Sequence, residues 1–141
     1  METQIDIAPP RGPDVAQLFG LAKTAFAGVP GWNDRRVLEV LHDDVVFVAR
    51  ERGAPAGYVA LRANPDDTIV VDQMFVAPGH ERRGIGHRLL AHAEGYAIAQ
   101  RAPALRIVVE RDNWPARSFY LRAGFVAVEP ELFELVLPRL G

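Results

Sequence analysis

One stretch limits the folds open to this chain more than any other. Val71-Asp72-Gln73-Met74-Phe75-Val76 closes an apolar run of strand length, Ala77-Pro78-Gly79 marks a turn, and a helical pattern opens at Gly84-Ile85-Gly86. A helix that starts on glycines has no side chain to cap its first N–H groups. Those donors point one way, at the positive end of the helix dipole, and make a ready site for phosphate or pyrophosphate. Two familiar loops are excluded by the letters. A Walker A loop ends in Gly-Lys-Ser/Thr, whereas Gly86 is followed by His87 and Arg88; a dinucleotide loop needs a further glycine where this chain has Leu89. The turn from Val76 to Gly84 is also too long for the tight strand-to-helix step of a dinucleotide-binding unit.

What remains resembles the pyrophosphate loop of the GCN5-related N-acetyltransferases. Their pattern is a strand, Val-x-Pro, then Gln/Arg-x-x-Gly-x-Gly/Ala and a Leu-Leu pair. Val76, Pro78, Gly84, Gly86, Leu89 and Leu90 match it, and Glu81 departs from it. Because main-chain donors do most of the cradling, that departure is expected to weaken phosphate binding, not abolish it. A second segment, Asn113 to Phe125, matches the family's Asn-x-x-Ala-x-x-(apolar)-Tyr-x-x-x-Gly-Phe at Asn113, Ala116, Tyr120, Gly124 and Phe125.

The resemblance implies acetyl-coenzyme A as acetyl donor, and the residues themselves lead us to expect no metal. It implies that main-chain groups from Met74 through Phe75 to Val76 hydrogen-bond the pantetheine arm, with an N–H near Met74 polarising the thioester carbonyl. The loop Glu81, Arg82, Arg83, Gly84, Ile85, Gly86 and His87 would then surround the pyrophosphate. Tyr120 looks like the family's general acid for the departing thiolate. A phenol near pKa 10 stays protonated at neutral pH and can donate to a thiolate whose parent thiol lies near 8.5. Asn113 resembles the residue that touches the coenzyme A arm, and is equally a plain helix cap. Asp72, a carboxylate in an apolar strand, is either the base or amine anchor that family members often place here, or a solvated or salt-bridged residue. Glu110 and Asp112 are weaker candidates for the same task.

Composition agrees with one soluble domain. The 141 residues carry 49% hydrophobic and 24% charged side chains with a net charge of -2, which leaves no basic surplus for nucleic acid. There is no charged-then-apolar leader and no apolar run near ~18 residues, so a cytoplasmic protein free of the membrane is expected, as monomer or homodimer. Cysteine is absent, which removes disulfides, thiolate metal sites and any acetyl-cysteine intermediate. His80, His87 and His92 lack metal-ligand spacing. Trp32 falls in the segment that, in the family, helps roof the acceptor site. The acceptor expected is a small-molecule amine. The rivals are a protein or peptide amine, and an acyl-coenzyme A-binding regulatory module without turnover.

Periodicity and turn letters give a strand over Gln4–Ala8, a helix from Pro13 to Ala27 and a short helix capped near Asn33 or Asp34. Strands follow at Val45–Ala49, Tyr58–Leu61 and Thr68–Val76, then a helix from about Gly84 to Gln100. The remainder reads strand Leu105–Val109, helix Trp114–Ala123, and strands Phe125–Val128 and Leu132–Leu137. The order β-α-α-β-β-β-α-β-α-β-β is α+β, and it is the element order of the acetyltransferase family: a single domain over residues 1–141, with a mixed central sheet flanked by helices.

Overall fold

The computed structural model describes residues 4–28, 33–81 and 84–139. Its elements run β1 (Ile5–Ala8), α1 (Gly12–Ala25), α2 (Asp34–Asp43), β2 (Val45–Glu51), β3 (Ala54–Ala63), β4 (Ile69–Val76), α3 (Ile85–Ala99), β5 (Ala104–Val108), α4 (Trp114–Arg122), β6 (Val126–Ala127) and β7 (Leu132–Val136). The order is the one the sequence predicts. Most boundaries move by one or two residues, and two of the differences have a clear physical reason. β3 begins at Ala54, so the turn to β2 shrinks to Arg52-Gly53, both at positive φ, as a two-residue hairpin demands. Pro55 fits inside the strand because the register shifts there between Ala49 and Arg50, where a missing N–H costs little. At the other end, β6 contracts from the expected Phe125–Val128 to Val126–Ala127, because the Phe125 side chain is buried in the core beneath it.

The strands form one seven-stranded sheet in the order β1-β2-β3-β4-β5-β7-β6. Every neighbouring pair is antiparallel except β4 and β5. That parallel pair needs a crossover, which α3 supplies. One face of the sheet packs Leu89, Leu90 and Ala93 of α3 and Tyr120 of α4 against Val59, Leu61, Val71, Leu105 and Phe133. The other face carries α1 and α2, whose Leu18, Ala22, Val37 and Val40 bury Tyr58, Ala60 and Phe75. Helix α1 is tied down by a charge that its sequence shows only as a first-turn acid. Asp14 accepts the Arg11 N–H at 2.6 Å and pairs with Arg50 of β2, and both side chains are buried. Helix α2 is capped as expected by Asn33, which accepts the Arg36 N–H at 2.8 Å.

Candidate active site

The site is made by two irregularities in the middle of the sheet. The first is a β-bulge in β4. Ala60 lies opposite Gln73 and Leu61 opposite Val71, which leaves Asp72 as the extra residue. A bulge inverts the facing of everything beyond it. Ile69 and Val71 therefore face the α3 side before it, and Met74 and Val76 pack there after it. Asp72 is turned toward the α2 side. There Arg36 Nη2 meets its Oδ1 at 3.4 Å and Arg62 Nε meets its Oδ2 at 3.3 Å. Only 9% of its side chain is exposed. Gln73 shares that face and accepts the Tyr58 hydroxyl at 2.7 Å.

The second irregularity is the parting of β4 from β5. Parallel pairing holds at Ile69–Leu105 and Val70–Arg106 and goes no further. Beyond it, Val71, Asp72, Gln73 and Met74 face Ile107, Val108 and Val109 across a cleft of about 330 Å³. Main-chain groups of β4 that point into this gap have no strand partner there, among the described residues. Tyr120 lines the cleft from α4, as do Asn113 and Ala116. The Tyr120 ring is fixed edge-on by Phe119 at 5.1 Å and Phe125 at 5.5 Å. Burial raises its phenol above the usual tyrosine value, so it keeps its proton throughout the neutral range.

Beside the cleft lies a groove of about 360 Å³ lined by Val76, Gly84, Gly86, His87 and Phe119, among others. Gly84 caps α3 in the left-handed conformation at φ 76°, with no side-chain capping bond. The first helical hydrogen bond runs from Arg88 N–H to Gly84 C=O at 3.0 Å. The N–H groups of Ile85, Gly86 and His87 come before it, as the uncapped helix start requires. Gly86 holds the groove open: a β-carbon there would lie 3.6 Å from the Phe119 ring and 3.9 Å from Val76 Cγ2. A glycine-lined helix start beside a slot between parted strands fits an elongated ligand with phosphates at one end.

Comparison with known proteins bears on which ligand that is. The family model described as "Acetyltransferase (GNAT) family" matches residues 14–125. The chain belongs to the acetyltransferase (GNAT) family. It is 35% identical over 85 residues to the streptothricin acetyltransferase of Streptomyces lavendulae, covering 59% of this chain and 45% of that protein. It is also 35% identical over 83 residues to the peptidyl-lysine N-acetyltransferase YiaC of Escherichia coli (strain K12), covering 59% and 51%. The chain thus matches about half the length of these curated relatives. Its fold superimposes on a GNAT family acetyltransferase from Brucella melitensis in complex with acetyl-CoA, with a TM-score of 0.71, 20% identity, and 98% and 92% of the two chains covered.

Within this GNAT fold the structure brings most of the residues singled out in the sequence to one region. Asp72, Met74, Asn113 and Tyr120 line the cleft; Val76, Glu81, Gly84, Ile85, Gly86 and His87 line the groove. Several reach it by main chain alone. The Phe75 side chain is buried on the opposite face against Phe26 and Tyr58, at 5.5 and 5.7 Å between ring centroids, and the Ile85 side chain is in the core. The Asn113 oxygen caps α4 by accepting the Ala116 N–H at 3.3 Å. Glu81 turns back on its own loop to accept the Gly79 N–H at 2.8 Å, which aims that negative charge at the turn. Arg82, Arg83 and Trp32 lie outside the described residues. No group of three metal-ligating side chains occurs among the described residues, and no helix is long and apolar enough to cross a membrane.

One residue of the site was invisible in the sequence. Asp44, between α2 and β2, hydrogen-bonds Asp72 carboxyl to carboxyl. Burial, followed by the bond to Asp72 and its negative charge, pushes Asp44 up to about 7, with Arg62 and Arg36 offsetting part of the rise. Burial alone would also raise Asp72, but the bond from Asp44 and the Arg62 and Arg36 guanidiniums hold it below the ordinary carboxylate value. In the sequence, Asp43-Asp44 reads only as a polar helix end.

Proposed function

We propose that the protein is an acetyl-coenzyme A-dependent N-acetyltransferase that passes the acetyl group directly to a primary amine of a small molecule. The observation that carries this reading is the placement of Tyr120 and Asp72 on one cleft, opened where β4 leaves β5. When bound, acetyl-coenzyme A supplies an activated acetyl group as a thioester. The N–H groups at the start of α3 hold its phosphates, and main-chain groups from Met74 to Val76 align its arm as an added strand. A main-chain N–H near Met74 polarises the carbonyl. Asp72 draws the cationic amine to the rim of the cleft, and Tyr120 gives its proton to the sulfur as the C–S bond breaks. The chain has no cysteine, which goes with direct attack and not with a thiol-borne acetyl intermediate. The donor's phosphates confine it to the compartment where it is made, so a cytoplasmic location accompanies this reading.

A second reading, a peptide or protein amine, is favoured by the sheet surface next to the cleft. Neither α1 nor α2 covers β5, β7 and β6, and Val108 is 66% and Val136 75% exposed there. An extended acceptor has apolar surface to lie on. The test for both is release of free coenzyme A thiol from acetyl-coenzyme A in the presence of polyamines, amino acids and short peptides. Release with small amines supports the first reading, and release with peptides alone supports the second. Tight coenzyme A binding with no release by any acceptor would leave a binding module without turnover.

A further inference from the structure

Asp72 does not stand alone at the rim of the cleft. The carboxyl that faces it belongs to Asp44, whose N–H closes α2 on Val40 C=O at 3.0 Å and which leads directly into β2. Two ionised carboxylates offer only acceptors, so a hydrogen bond between them contains a proton. Asp44 Oδ2 is shielded from water and receives no hydrogen bond from any described donor. The remaining charges around the pair are known. Arg36 comes from α2 and Arg62 from β3, and both bond Asp72. The adjoining His42 and Asp43 pair with each other at 2.7 Å and face solvent. Both guanidiniums favour the charge on Asp72 and therefore the proton on Asp44.

This arrangement answers a difficulty in the chemistry. The acceptor amine must lose a proton to become amide nitrogen, and Asp72 by itself is held too acidic to keep one. We infer that Asp44 and Asp72 work as a single proton-accepting pair, Asp72 holding the acceptor's ammonium group and Asp44 keeping the proton it releases. The inference rests on the N-acetyltransferase reading above. Asp44 acts through Asp72 and is a positioning residue. The step balances. The ammonium first gives one proton to Asp72, which settles on Asp44 and changes the pair from two negative charges to one. The nitrogen lone pair so freed forms the C–N bond, and the C–S electron pair leaves with sulfur, which takes the Tyr120 proton. The second nitrogen proton passes through solvent to the Tyr120 oxygen, and solvent removes the first from the pair, so one proton is released per turnover. Two facing carboxyls titrate as a unit, and the upper step of this pair lies near neutrality. It therefore matches the working pH of a general base far better than a lone aspartate does.

The test is Asp44→Asn, which keeps a donor to Asp72 at nearly the same volume. Carbon-13 NMR of the aspartate carboxyls, on the whole protein, is expected to show one resonance titrating near pH 7 that is absent from the variant. Wild-type kcat, followed as thiol release with spermidine, free lysine and an alanine-initiated hexapeptide, is expected to rise with pH through about 7. In Asp44→Asn that rise moves below about pH 5.5, and kcat at pH 8 falls at least about ten-fold while KM for acetyl-coenzyme A stays within about two-fold. A lower plateau with the rise left at its wild-type pH overturns the pair and leaves the acetyltransferase reading standing. So does NMR in which every aspartate titrates below pH 5. No thiol release by the wild type with any of the three acceptors removes the acetyltransferase reading itself, and the pair's role with it.

Discussion

Gly86 lies flush against Phe119, with 3.6 Å between the ring and the point a β-carbon would occupy. That contact sets the width of the groove at the start of α3. Alanine fits at ordinary van der Waals distance, whereas leucine must displace the ring or fill the groove. Gly86→Leu is expected to weaken coenzyme A binding by about ten-fold or more, on a steric cost of about 1–3 kcal/mol, with Gly86→Ala close to wild type. Calorimetric titration with coenzyme A checks this, and equal affinity in all three proteins would place the phosphates elsewhere.

Tyr120→Phe removes a hydroxyl and leaves the ring contacts to Phe119 and Phe125 in place. The expected loss is about 10²- to 10⁴-fold in kcat, with little change in KM for acetyl-coenzyme A. Because burial raises the phenol, the wild type is also expected to hold its activity up to about pH 9 instead of losing it as an ordinary tyrosine begins to ionise. Full activity in the phenylalanine variant would mean that solvent protonates the thiolate.

What the sequence made legible is what is local in the chain. The glycine start of α3 and the run from Asn113 to Phe125 each bring their groups within a few turns of one another, so spacing alone put Gly84 and Gly86 at the start of α3 and Tyr120 on α4. The bulge at Asp72 depends on how β3 and β4 align, and no period-two pattern in β4 reveals it. Asp44 and Asp72 are separated by two strands, and the ion pair of Asp14 with Arg50 joins a helix start to a strand end. Such pairings exist only after the register is chosen. Letters alone therefore left Asp72 suspended between base, anchor and salt bridge, when it is bonded to two arginines and a second acid at once.

Gly57 sits where the β3 backbone passes close against that of β4. A β-carbon there would run into the Phe75 carbonyl oxygen and lie 3.2 Å from Val76 Cα, both backbone atoms of the neighbouring strand. Gly57→Ala is expected to destabilise the fold by about 1–3 kcal/mol, read as a lower urea midpoint with an unchanged slope. A wild-type midpoint would show that the strands can separate without cost.

Asp14→Ala strips the buried Arg50 guanidinium of its partner and frees the Arg11 N–H. Breaking a buried pair from one side costs about 3–5 kcal/mol, so thermal melting of this variant is expected well below wild type. Replacing both residues by apolar ones should recover part of that loss. If the single and double variants melt alike, the unpaired arginine is not the source of the damage.

The acid pair also shapes stability. Asp44 is raised in the folded state from 3.8 to about 7, so the folded chain binds its proton more tightly than the unfolded chain does. That contribution is complete below about pH 4 and is lost as pH rises through about 7. Asp72 is lowered and acts in the opposite sense, its contribution disappearing as pH falls below 3.8. Of these two effects, that of Asp44 is the one that changes between pH 5 and 8, so wild type is expected to lose more melting temperature over that span than Asp44→Asn does. Parallel melting curves for the two proteins would count against a shifted Asp44.

Strands β4 and β5 are joined at only two residue pairs, Ile69–Leu105 and Val70–Arg106. The sheet is thus two leaves on a short spine, β1 to β4 on one side and β5, β7 and β6 on the other, bound along one end and free at the other. A molecule lying in the opening and bonding to both leaves would tie them together beyond the spine and the packing beneath α3 and α4. Amide exchange in β5 and β7 is therefore expected to slow when coenzyme A is bound.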